Sequence, residues 1–479
     1  MASQQQVIAE ITQEVISRLR TQLLTPAASP RIEPAATGQG VFATVDEAVN
    51  AADQAQKRVA DLSLADRGRA VSVIRRICCE RAQELGRTEL LETKVGRLDH
   101  KIEKLKNIQY VLGVEAMRSD ARSDTSGLCV IERAPWGVIG MVLPVTHSVP
   151  TMASNAINVI AAGNTAVFAP HPSACKVAAH ALQIFNREIE KDLGIANMMT
   201  TVEESTIKAT EQLFHHPKVA LLCVTGGPSV VKAASRSGKR VIAAGPGNPP
   251  VLVDDTADLD AAARAIIDGA AFDNNLLCIG EKEVFVVESV ANAFLAAMRR
   301  AGAYELDAAA IEKLTKAAFT FEGGGKGCAQ AHVNKEFVGK DPDVLAAAAG
   351  VRIPAGTSLL FGETKEDHPY VQQEQMMPFL PVVRVRDVAA GIEAAIRAEH
   401  GYRHTAIIHS RNVENVTRMA RALNTTLFIQ NAPCYASLGA NGPGYLSYSI
   451  ATPTGEGVTT PLTFTRERQL TVGGALRFI

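Results

Sequence analysis

Apolar residues recur at helical spacing from the start of the chain. Val7, Ile8, Ile11, Val15, Ile16 and Leu19 make one stripe, so residues 1–20 predict an amphipathic helix. Pro, Ala and Gly then break the period, and TPAASPRIEPAATGQG (25–40) marks residues 21–40 as a linker. From Val41 the pattern alternates between the two regular periods. TVDEAVNAADQAQKRVADL predicts a helix with Asp46 in its first turn, and Leu64 to about Met117 predicts two longer helices. The short apolar runs VIGMVLP (138–144), NTAVFAP (164–170), VALLCVTGG (219–227), RVIAAGP and PPVLVDD follow as strands. Helices lie between them, from about Met152 to Ala162 and from Ala174 onward. A second series begins after Asp254, with a helix over 257–272, the strand EVFVVES and further units up to TTLFIQN (425–431). Repeated βα units predict an α/β fold with parallel sheets. The tail TPLTFTRERQLTV alternates apolar and polar residues and predicts an edge strand used in assembly.

Composition adds bounds. A chain of 479 residues, 47% of them hydrophobic, supports two large domains with appendages. Lys and Arg number 49 against 50 Asp and Glu, which leaves no electrostatic footprint for nucleic acid. No apolar run reaches the ~18–20 residues that span a bilayer, and the first ten residues carry no basic cluster of a secretory signal. The eight cysteines (Cys78, Cys79, Cys129, Cys175, Cys223, Cys278, Cys328 and Cys434) are scattered without a C-x-x-C pair. They predict neither a zinc site nor a disulfide framework, and fit a reducing interior. GGGKGC (323–328) lacks the spacing and the hydroxyl residue of a phosphate loop.

Among residues that carry chemistry, Cys278 stands out. It sits in AFDNNLLCIGEKEVFVV, between a helical pattern and a strand, on a turn with Asn274, Asn275 and Gly280. Such a turn can direct several N–H groups at one point, where they favour a thiolate and then an oxyanion. Set against this is the ordinary state of cysteine, buried and inert. Thr225-Gly226-Gly227 joins a strand to a helix, where backbone can approach a phosphate, though the full dinucleotide fingerprint is missing. His147 and His171 follow strands, where each is either a ligand contact or a polar loop residue. His215, His216, His404 and His409 read as surface or structural, and Glu374 by itself as a solvated group.

Together these segments resemble the aldehyde dehydrogenase superfamily from about Val41 to the C-terminus. The resemblance lies in FDNNLLCIGEKEVFVV, in EQMMPFLP, and in VLPVTHSVPT, FAPHPSA and VTGGPSVV. It implies Cys278 as nucleophile and Glu374 on the nicotinamide ribose, with Pro144, Thr146, His171, Pro172, Gly226, Gly227 and Gly245 around the cofactor. NAD and CoA would use the region of Thr146, His171 and Gly226 in turn. It also implies a Rossmann-type cofactor domain (41–245, with 432–460 returning to it), a catalytic α/β domain (246–431), and oligomerisation strands at 125–137 and 461–479. Two departures narrow it. AAGPGNPP (243–250) holds no carboxylate where hydrolytic members activate water, and APHPSA lacks their ribose-binding lysine. Both resemble the CoA-acylating branch, nearest to enzymes of propanediol-using bacterial microcompartments. The implied reaction is CoA-dependent oxidation of a short-chain aldehyde, propionaldehyde foremost, through a thioacyl-cysteine. The implied setting is a homo-oligomer, dimer or tetramer, in the bacterial cytoplasm, inside a microcompartment whose shell protein residues 1–20 would bind. An acetaldehyde-specific enzyme, a hydrolytic one and a non-catalytic shell-associated protein are the alternatives.

Overall fold

A computed structural model describes residues 38–322, 330–439 and 442–476. The predicted helix over 1–20, nearly all of the linker over 21–40, the GGGKGC run and Cys328 lie outside the described residues. In chain order the strands are β1 (Val41–Phe42), β2 (Asp120–Asp124), β3 (Gly127–Pro135), β4 (Val138–Leu143), β5 (Thr165–Pro170), β6 (Met199–Val202), β7 (Val219–Thr225), β8 (Arg240–Ala244), β9 (Pro250–Val253), β10 (Glu283–Val287), β11 (Tyr304–Glu305), β12 (Phe319–Glu322), β13 (Gln330–Val333), β14 (Leu360–Glu363), β15 (Phe379–Val385), β16 (Thr405–His409), β17 (Leu427–Gln430), β18 (Ile450–Ala451), β19 (Gly457–Val458) and β20 (Thr465–Gly473).

β4 and β5 are buried at every position, as are β9 and β10. Runs without a solvent face belong in parallel sheets covered on both sides. One six-stranded sheet has the order β1-β6-β5-β4-β7-β8 and a second, seven-stranded sheet the order β11-β14-β15-β10-β9-β16-β17, parallel throughout. In the first sheet the order reverses between β4 and β7, so the loops after these strands diverge and leave a crevice at their carboxyl ends. One hydrophobic cluster links the sheets, containing Met141 of β4, Val251 of β9 and Val284 of β10. β2, β3 and β20 form a separate antiparallel sheet, with β20 at an edge and mostly exposed.

Local chemistry corrects several boundaries. The stretch from Leu64 forms not two helices but three, Leu64–Glu80, Ala82–Thr93 and Leu98–Lys106. Arg81 leaves helical geometry at φ −105°, ψ 17°, and Lys94 closes the second helix in the left-handed region at φ 58°. Neither site carries the Gly or Pro that would have marked it. The helix expected from Met152 starts at Ser148, because Pro150 falls in its first turn, where the missing N–H costs nothing. The small sheet includes β2, whose sequence DARSD is exposed throughout and gives no strand pattern, while residues 125–126 of the expected strand form a turn.

Buried Asn164 ties the small sheet to the first large one. Its Oδ1 accepts the N–H groups of Trp136 (2.6 Å) and Gly137 (2.9 Å), and its Nδ2 donates to the Phe464 carbonyl (2.9 Å). Asn164→Ala leaves three backbone groups without partners and is expected to lower stability by about 2–4 kcal/mol, read by denaturant unfolding.

Candidate active site

The helix Leu259–Ala271 gives way to three consecutive left-handed residues, Asp273, Asn274 and Asn275, at φ 50°, 56° and 65°. Asp and Asn tolerate this region best among residues with a side chain, and here each is also held by its side chain. The Asp273 carboxylate pairs with Lys104 and accepts the Arg97 N–H at 2.7 Å, while its own N–H donates to His100 Nδ1 at 2.8 Å. Asn274 Nδ2 donates to the Gly339 carbonyl (3.0 Å) and Asp341 Oδ1 (2.8 Å). Asn275 Nδ2 donates to the carbonyls of Ala270 and Glu281, both at 2.9 Å. A tight turn follows, closed by the Gly280 N–H on the Leu277 carbonyl at 3.1 Å. Cys278 sits on this turn, and its own amide and that of Ile279 are directed at the sulfur.

Beneath the turn lies a row of buried charges. Lys101 pairs with Glu89 at 3.2 Å, and the ammonium groups of Lys101 and Lys104 each reach the Thr146 carbonyl at 3.4 Å. Glu89 also accepts the Val149 N–H (3.3 Å) at the start of the helix Ser148–Ala161. Burial works to raise the Asp273 carboxyl, but the charges of Lys104 and Lys101 outweigh it and hold the group below the usual carboxylate range. The row thus joins the loop after β4 to the cysteine turn.

Cys278 opens on a cavity whose walls are largely apolar, among them Phe272, Tyr435, Leu438, Leu446, Tyr448 and Ile450. Glu103, Asn107 and His147 add polar atoms. His147 is buried with Nδ1 unpartnered and its ring 5.6 Å from that of Tyr448. Burial, with the Lys104 charge, holds it well below its ordinary pKa, so it is a neutral imidazole. Burial also pushes the Cys278 thiol up to about 12; Glu374 adds to this and Lys282 opposes it. Burial brings the Glu374 carboxyl to about 7, against the pull of Lys282 and the Gly247 N–H. Gly247 packs directly on the turn, since a Cβ there would stand 2.5 Å from the Cys278 carbonyl oxygen and 2.9 Å from the His404 ring.

The remaining expected residues sit together elsewhere. Pro144 and Thr146 follow β4, His171 and Pro172 follow β5, Gly226 and Gly227 follow β7, and Gly245 follows β8. All lie at the carboxyl ends of four adjacent strands, beside the reversal in strand order. A Cβ at Gly227 would meet nothing within 4 Å, and the helix Pro228–Ser235 begins there without a side-chain cap. Pro228 has no N–H and the Val230 N–H reaches the Gly227 carbonyl at 3.1 Å, so what the turn offers is an open backbone approach at a positive helix end, which fits a dinucleotide pyrophosphate. The described residues contain no group of three or more His, Cys, Asp or Glu that could hold a metal ion.

His404, expected at a surface or structural position, is fully buried against Gly247, and burial beside Lys282 brings it down to about 4. Glu89, Lys101, Lys104, Asp273 and Lys282 carry no pattern in the sequence that marks them as buried. The available signal was charge at helical spacing in LDHKIEKLK, which reads equally well as a solvated face.

Comparison with known proteins bears on the fold and the family. A model of the aldehyde dehydrogenase family matches residues 22–307. The acetaldehyde dehydrogenase (acetylating) EutE of Salmonella typhimurium is 43% identical over 452 residues, covering 93% of this chain and 96% of that protein. A propionaldehyde dehydrogenase from the fucose utilisation bacterial microcompartment of Clostridium phytofermentans superposes with a TM-score of 0.88 at 39% identity, over 91% of this chain and 99% of the other. A Rhodopseudomonas palustris propionaldehyde dehydrogenase, solved with bound CoA and an acylated cysteine, gives 0.87 at 39% identity over 91% and 98%.

The ion pair under the turn is testable by removing one partner. Asp273→Asn leaves the Lys104 ammonium buried and unpaired, with an expected loss of about 3–5 kcal/mol at neutral pH. A carboxylate with a lowered pKa stabilises fully above its unfolded value of about 3.9, and this is lost as pH falls through the folded value. The stability gap between wild type and variant should therefore close below about pH 4 in denaturant titrations.

Proposed function

The chain belongs to the aldehyde dehydrogenase family, and from that premise we propose how its residues share the CoA-dependent oxidation of a short-chain aldehyde. The product is an acyl-CoA, with propionaldehyde the foremost substrate and acetaldehyde the second. Cys278 loses its proton and its sulfur attacks the aldehyde carbon, forming an S–C bond and placing negative charge on the former carbonyl oxygen. The amides at the turn, which face the sulfur, and the neutral His147, which lines the same cavity, would stabilise that charge. NAD, when bound, supplies the hydride acceptor. Gly226 and Gly227 would take its phosphates, the residues after β4, β5 and β8 its flanks, and Glu374 the ribose next to the nicotinamide. Loss of hydride from the bound carbon leaves a thioester on Cys278. The CoA thiolate then attacks that carbon, the Cys278–carbon bond breaks, and acyl-CoA departs.

The observation that carries the CoA requirement is the close passage of Gly247 against the cysteine turn, within a segment, AAGPGNPP, that holds no carboxylate. This segment brings backbone and no carboxylate to the thioester, so it offers no base for water. Omitting CoA should give a burst of about one NADH per active site and then near-arrest. Cys278→Ser should abolish the burst while leaving the fold intact. Steady release of free acid without CoA would overturn the reading.

The apolar stripe of residues 1–20 supports a second element, docking of this segment in a hydrophobic groove of a microcompartment shell protein. The long exposed edge of β20 supports pairing between copies of the chain. A fluorescent protein carrying residues 1–20 should be recruited to intact compartments, and diffuse fluorescence would reject the docking role.

A further inference from the structure

We propose that Lys282 is the positioning residue of the nucleophile: it clamps the carbonyl side of the cysteine turn and places a positive charge behind the Cys278 sulfur. The inference deepens the reading of Cys278 as nucleophile and rests on it.

Lys282 immediately precedes β10 and is fully buried. Its Nζ donates to the Asn275 carbonyl at 2.8 Å, to Asn275 Oδ1 at 2.5 Å and to the Leu277 carbonyl at 3.1 Å. All three acceptors are neutral oxygens. The flanking carboxyls do not take the role of counter-ion. Glu281 is raised by burial to about 7 and accepts the Cys434 N–H at 2.9 Å. Glu283 is raised well above its usual range, and neither of its carboxyl oxygens has a partner. Burial pulls the Lys282 pKa down, and the groups that oppose this and favour the ammonium are Glu374 first, then Cys278, Cys434 and Glu283, with His404 on the far side of Gly247. A buried ammonium beside the reacting thiol, with its hydrogen bonds spent on neutral oxygens of the cysteine turn, fits a functional role better than a structural one.

The clamp has a directional consequence. In a trans peptide the C=O and N–H point in opposite directions. The Leu277 carbonyl is drawn toward Lys282 and also accepts from the Gly280 N–H. The N–H of the same peptide belongs to Cys278, so it must face away from Lys282, toward the sulfur and the cavity. Lys282 therefore fixes the orientation of an amide that stabilises the thiolate first and the oxyanion afterwards. Its charge acts in the same sense, against Glu374, which raises the thiol.

The test separates charge from shape. Alkylation of Cys278 by iodoacetamide, followed by mass spectrometry of its peptide across pH 7–10, reports thiolate formation without any turnover. Lys282→Met removes charge and donors at similar length; Lys282→Arg keeps the charge. In Lys282→Met the alkylation profile should move up by at least one pH unit, and the NADH burst should fall at least 100-fold. Equilibrium binding of NAD should stay within threefold. Lys282→Arg should keep the profile within about 0.3 unit while slowing the burst through altered geometry. If Lys282→Met does not fold, Lys282→Gln takes its place in the same comparison with Lys282→Arg. Equal profiles in the neutral and charged variants would overturn the proposal, whether both match wild type or both shift. Turnover retained in Cys278→Ser would instead reject the nucleophile assignment, which the alkylation profile does not measure.

Discussion

The pairing of Asp273 with Lys104 is the constraint on which the site depends. A run of three left-handed residues is unfavourable for any chain without glycine, and Asp273 begins it. Its carboxylate is held by an ammonium from the helix Leu98–Lys106 and by the Arg97 amide, so a remote segment fixes where the turn starts. The same lysine reaches the Thr146 carbonyl in the loop after β4. The end of a first-sheet strand and the nucleophile of the second half are thus set by one buried cation. Gly96 shows how tightly this is packed, since a Cβ there would meet the Asp273 carboxylate at 2.3 Å.

Around that anchor, charge and burial divide the labour. The cavity is apolar enough to keep the thiol and His147 neutral, although Glu103 and the paired Lys104 reach its lining. Burial costs each ionised group free energy that only partners can return. Glu89 and Lys101, then Asp273 and Lys104, meet that condition as pairs, while Glu281, Glu283 and Glu374 meet it by rising toward the neutral acid. A site arranged in this way offers hydrogen-bond donors where charge will form while holding little charge of its own at rest.

Much of this was legible in the sequence because the signals were local. Short apolar runs alternating with 3.6-residue periods gave both parallel series, and Asn-rich sequence before Cys278 and glycine after it marked an unusual turn. The strand ends themselves were legible because a strand followed by Gly or Pro identifies its own carboxyl end, whereas a cofactor role for Pro144, Thr146, Pro172 and Gly245 rested on the family resemblance alone. What escaped depended on distant partners. Lys101 and Lys104 look like solvated charges until the helix that carries them is seen packed under another segment. Lys94 and Arg81 break helices without any breaker residue, and DARSD becomes a strand only because β3 lies beside it. His404 is one of several scattered histidines until the GPGN segment is laid against it.

A thiol held in its protonated form is also hidden from oxidants. Peroxide attacks the thiolate, and the first product, a sulfenic acid, leads to irreversible states. With burial and Glu374 keeping Cys278 protonated, the resting enzyme presents an unreactive sulfur, although the cavity leaves it within reach of small molecules. Sensitivity to oxidation should then follow the catalytic cycle and not simple exposure. The moments of greatest exposure are those in which the thiolate is formed but not yet acylated.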